Sequence, residues 1–320
     1  MTNYLSKVIV DKLLQWKFVA FVISFSKKIV LPGFDGLPLF DVTVFFARGI
    51  SKGYIASRAS AISFNFFLAI FPSLIFFFTI IPFIPIENFQ QSLLELLQGF
   101  IPDTIYTTVH TTVEDIITRP RGGLLSLGFV LSLYFSTNGI NSLMQAFNST
   151  FHTIETRSFI RQRIVSIFLL IIITFLLILS IGLITFGTWI LSLLLPLQIL
   201  ESNIYFSIIV SSKWLVTIAM LFFTISFIYY MAPAKKRHFR FISAGSSLAT
   251  ALIIATTLGF NFYVANFSKY NALYGSIGTL LVVLLLIYAN SFSILLGFEL
   301  NASIYNVKKG ISKANPPSKR

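Results

Sequence analysis

Six long apolar runs, at residues 59–84, 124–147, 164–195, 205–231, 241–262 and 276–305, dominate this chain. Each is as long as the roughly 20 residues a helix needs to cross the hydrocarbon core of a bilayer. Inside that core every backbone polar group must find a partner, and a helix supplies one within a single segment. The pattern predicts an all-α polytopic membrane protein with six transmembrane helices. Composition agrees. Of 320 residues, 11% are charged and 56% hydrophobic, whereas a soluble domain carries about 25% charged residues. The 36 phenylalanines read as lipid-facing bulk rather than an aromatic binding site.

Loop charges orient the runs. Twenty of the 24 Lys and Arg residues fall before the first run, between runs two and three, between runs four and five, or after run six. Cytoplasmic loops collect Lys and Arg, so both termini are predicted inside. The net charge of +13 follows from this bias. It points to anionic lipids on the cytoplasmic side as partners, not to nucleic acid. Residues 1–57 mix apolar and basic positions and contain Pro32, Gly33, Gly36 and Pro38. They are expected to form one or two amphipathic helices on the cytoplasmic interface, without a cleaved leader. The membrane domain is expected over 58–305, with a small helical, acidic cap outside at 85–123 and a basic cytoplasmic tail at 306–320.

Polar residues inside the spans are the candidate functional groups. In run two, Tyr134, Asn138, Asn141, Ser142 and Gln145 recur at three- and four-residue spacing, which places them along one helical side. They either bond to neighbouring helices, a common device in membrane bundles, or line a substrate path. In run six, Asn290, Gly297 and Asn301 align, because eleven residues make nearly three turns, and Asn290 and Asn301 are further candidates for lining the substrate path. Glu299 points the other way, so this helix is expected to be enclosed by protein. A carboxylate in a span needs compensation, and Arg58 at the start of run one is the expected structural partner. Pro72 in run one is expected to kink the helix or interrupt its ladder.

Catalytic patterns do not emerge. No cysteine is present, and His110, His152 and His238 lack metal-ligand spacing. There is no nucleophile elbow, phosphate loop or dinucleotide fingerprint. An enzyme is not expected, and neither a metal nor another cofactor is implied.

Three stretches carry a family resemblance: ASAISFNFFLAIFPSLIFF in run one, YYMAPAKKRHFRFISAG across runs four and five, and YNALYGSIGTLLVVLLLIYANSFSILLGFELNASI in run six. Their order and spacing resemble the YihY/BrkB family of bacterial inner-membrane proteins from about residue 45 to 305. The resemblance implies six spans with both ends cytoplasmic. That family has also been labelled ribonuclease BN. A metal-dependent ribonuclease needs clustered His and Asp ligands to activate water, which this sequence does not present. The expected function is a transporter or flippase-like lipid-handling protein in envelope biogenesis, acting on a lipid or envelope precursor. The alternative is a non-transporting scaffold for envelope assembly. The oligomeric state stays open.

Overall fold

The computed structural model describes residues 17–83, 119–150, 153–154, 158–194, 202–234, 241–266 and 269–314. Residues 85–118 of the helical cap expected at 85–123, His110, His152, His238 and the end of the basic tail lie outside the described residues. The architecture is all-α. Helix α1 is Lys17–Ser26, α2 is Leu39–Lys52 and α3 is Ile55–Ile80, ending in a short 3-10 turn at Ile81–Phe83. Then come α4 (Gly122–Asn148), α5 (Phe159–Leu194), α6 (Ser202–Met231), α7 (Ala244–Asn266) and α8 (Lys269–Ala314). Between α4 and α5, Ser149–Thr150 pairs antiparallel with Thr153–Ile154 in a two-residue ladder. Six helices, α3 to α8, are long and apolar enough to cross a membrane.

Hydrophobic burial gives little drive between helices when the alternative neighbour is a lipid tail, so membrane helices associate through close approach and interhelical bonds. Both devices are present. The α3–α4 pairing is the most extensive between two of these helices. It closes at Gly139, where a Cβ would lie 3.0 Å from the Phe66 ring, and at Gly128, where one would lie 3.1 Å from the Phe76 backbone nitrogen. Pro72 is buried within α3, and the helix continues past it to Ile80.

Helix α8 is the axis of the fold. Its 46 residues make it about 69 Å long, well beyond the bilayer core. It packs against α7, α3 and α2. The core sits where α4, α6 and α8 converge. There Phe147 stacks on Phe298 at 4.1 Å between ring centroids, and Tyr229 meets both rings edge-on. The Tyr229 hydroxyl donates to the Ile294 carbonyl at 2.6 Å, which satisfies the polar tip of a buried aromatic.

Helix α2, expected on the cytoplasmic interface, is packed into the bundle. It docks on α8, with Val42 buried beside Leu300, Ile304 and Val307. The turn before it uses positive φ at Gly33 and Gly36, a region glycine enters without steric cost. Lys308 of α8 reaches back to Asp35 at 2.8 Å. By contrast α5 turns Ile164, Phe168, Ile171, Phe175 and Ile178 outward, an apolar stripe suited to lipid.

Candidate functional site

Two polar regions stand out, one closed and one open. The closed region lies at the basic end of the bundle, where α2, the start of α3 and the lower part of α8 meet. Glu299 is fully buried. Arg58, one turn into α3, brings Nη2 to 4.0 Å from the Glu299 carboxylate, with its side chain 11% exposed. Its Nη1 donates to the Gly53 carbonyl at 3.0 Å and to the Ser149 carbonyl at 3.3 Å. One guanidinium thereby ties the end of α2, the end of α4 and the middle of α8 together. Gly49 completes the enclosure, since a methyl group there would overlap the Glu299 carboxylate. Sequence spacing could suggest Arg58 as a partner, but nothing in it pointed to Gly49.

Asn301, two residues along, belongs to a helix start rather than a path. Its Oδ1 accepts from the Gly245 N–H at 2.8 Å, and its Nδ2 donates to Ser243 Oγ at 2.8 Å. Ser243 is the residue before α7, and its Oγ also accepts from the Ser246 N–H at 3.1 Å. The Ser246 hydroxyl in turn accepts from the Ser243 N–H at 3.1 Å. This reciprocal arrangement is a capping box with serine in place of glutamate. The helices cross so closely that a Cβ on Gly245 would overlap the Gly297 carbonyl, and one on Gly297 would overlap the Gly245 carbonyl. Gly297 thus serves this crossing. Asn290, nearly three turns before Asn301 on α8, has a buried Oδ1 with no hydrogen-bond partner among the described residues.

The open region is the seam between α4 and α5. The stripe read as one side of α4 divides between two neighbours. Ser142 turns to α3, accepting from Asn65 Nδ2 at 3.1 Å. Asn138 and Asn141 turn to the first turns of α5, where Arg163 Nη1 donates to Asn138 Oδ1 and Gln162 Nε2 donates to Asn141 Oδ1. The Arg163 guanidinium also lies over the Tyr134 ring, 5.1 Å from its centroid. Tyr134 is 52% exposed, and Gln145 is exposed. Arg163 and Gln162 were missed because the fifth helix begins before its apolar run, at Phe159 rather than at residue 164. Arg163 therefore reads as a loop charge in sequence and is a helix residue in the fold. Among the described residues, no three His, Cys, Asp or Glu side chains gather as they would around a metal ion.

The sequence profile of the family described as virulence factor BrkB matches residues 46–320. The chain belongs to the BrkB virulence-factor family. The match runs from the middle of α2 through α8, so both polar regions of this BrkB protein lie within it. A relative, ribonuclease-like protein YfkH of Bacillus subtilis (strain 168), is 33% identical over 253 residues, covering 79% of this chain and 91% of the relative. No solved structure matches.

Proposed function

We propose that the protein handles lipid or an envelope precursor at the α4–α5 seam, as a transporter or flippase-like protein of a bacterial cytoplasmic membrane with both termini inside. One observation carries the reading. Polar side chains of a membrane-spanning helix reach the periphery of the bundle beside an outward apolar stripe, with Tyr134 half exposed above Asn138 and Asn141. A headgroup moving along the seam would meet hydrogen-bonding groups while its chains stayed in lipid. The orientation rests on the positive-inside bias. The test is translocation of fluorescent phospholipid in proteoliposomes. The parent protein is expected to move lipid, and Asn138→Leu with Asn141→Leu is expected to abolish movement while the protein stays monodisperse. Full movement in the double variant sinks the reading.

A second reading, a non-transporting scaffold for envelope assembly, is favoured by the bonding of Asn138, Asn141 and Ser142 to neighbouring helices. It predicts no translocation and a stoichiometric envelope partner in a pull-down. An enzymatic role, prompted by the ribonuclease-like name of the relative, is not part of the proposal. Incubating the purified protein with RNA and Mg²⁺ or Mn²⁺ checks this, and the expected outcome is intact RNA.

A further inference from the structure

We propose that Arg163 is the recognition group of a binding site for the phosphate of an anionic phospholipid, set in the α4–α5 seam. The inference deepens the lipid-handling reading and shares its premise that lipid reaches this seam. Arginine presents five N–H donors in a planar fork. Among the described residues Arg163 uses one nitrogen on Asn138 and its face on Tyr134, and no carboxylate pairs with it. A cation in a membrane-spanning helix is costly unless compensated, and a free arginine would extend its head towards water. Arg163 is instead held inward. Its ring platform fixes the plane of the guanidinium, and the neighbouring Gln162–Asn141 bond fixes the first turns of α5 against α4.

The surroundings specify the ligand. On α5, Ile160 and Ile167 lie three and four residues from Arg163, on its side of the helix, and are exposed. An anion bound here therefore sits beside surfaces that fit acyl chains. A phospholipid offers both parts in one molecule. Guanidinium and phosphate match as a two-toothed pair, and the charge signs complement. Arg161, two residues away, is exposed and makes no comparable contact with α4 among the described residues.

The experiment places the full chain in nanodiscs of phosphatidylcholine doped with phosphatidylglycerol and quantifies the lipid retained after purification into detergent. The parent is expected to retain phosphatidylglycerol selectively. Arg163→Ala is expected to lower that retention about tenfold or more, the scale of losing charge-assisted hydrogen bonds. Arg163→Lys, which keeps charge without the fork, is expected to fall between, and Arg161→Ala to match the parent. Equal retention of the two lipids by the parent, or equal losses in Arg161→Ala and Arg163→Ala, overturns the proposal. So does displacement of the lipid by millimolar inorganic phosphate, which would identify a free anion as the ligand. Should Arg163→Ala fail to stay monodisperse, Tyr134→Leu takes its place, and unchanged retention there overturns the site. Because retention is read without translocation, a protein that binds phosphatidylglycerol but moves no lipid keeps this site and loses the transport reading.

Discussion

In the closed region, Glu299 has no exposure and is shut in by Arg58 and Gly49. At the α4–α5 seam, Tyr134 is half exposed and Arg163 rests on its ring. Both regions place an arginine in a helix, yet the consequences differ. Arg58 spans three elements and faces a carboxylate, so its removal leaves a buried charge behind. Among the described residues Arg163 bonds a neutral amide and an aromatic ring, so its removal leaves no charge behind there. The first arrangement holds the fold together. The second leaves binding capacity that no described residue uses. Exposure and the chemistry of the partner, rather than the presence of a charge in a span, distinguish a structural group from a candidate binding group.

The sharpest challenge to this contrast is Arg58→Ala. Removing one partner of a buried pair costs about 3–5 kcal/mol, so the variant is expected to lose monodispersity at much lower temperature than the parent in a graded heating series. The double change Arg58→Met with Glu299→Met should recover most of the loss. A heat-resistant Arg58→Ala would remove the distinction between the regions. Gly297→Val comes next. Its added carbons meet the Gly245 carbonyl and Tyr229, and overpacking of this kind costs about 1–3 kcal/mol. The same series measures it, with Gly182→Val on α5 as a control, since nothing lies within 4 Å of a Cβ there.

Asn301→Ala releases the Gly245 N–H and Ser243. A lost helix cap costs about 1 kcal/mol, readable as faster hydrogen exchange confined to the first turn of α7. The smallest effect on stability is expected at the seam. Interhelical hydrogen bonds in membranes average about 0.6 kcal/mol, so Asn141→Leu should barely move the heating curve. A fall as large as that of Arg58→Ala would make the seam part of the structural core and weaken its candidacy as a site.

Much of the fold was legible in sequence because membrane insertion imposes a simple rule. A run long and apolar enough to span must form a helix, and six such runs gave six helices. The site was legible only in part. Glu299 and Arg58 stood out because a carboxylate in an apolar span calls for a partner. Asn301 also stood out, but a sequence cannot say whether an amide faces a cavity or a helix start, and here both polar groups of the side chain serve α7. The α4 stripe looked like one side because 100° steps spread residues 134 to 145 over a broad arc. Two helices pack into that arc, and they divide it.

By itself the sequence determined the class, the number of spans and the family, since these depend on local hydrophobicity and on the order of motifs along the chain. Tertiary structure alone decided which polar groups were already satisfied. It brought Gly49 against Glu299 across 250 residues of sequence and turned Arg163 onto Tyr134. Those relations depend on the crossing and rotation of helices, which arise from close approach at glycines and bonds between helices. Hydropathy records how much of a segment favours lipid, and it carries no information about which side of one helix meets which side of another.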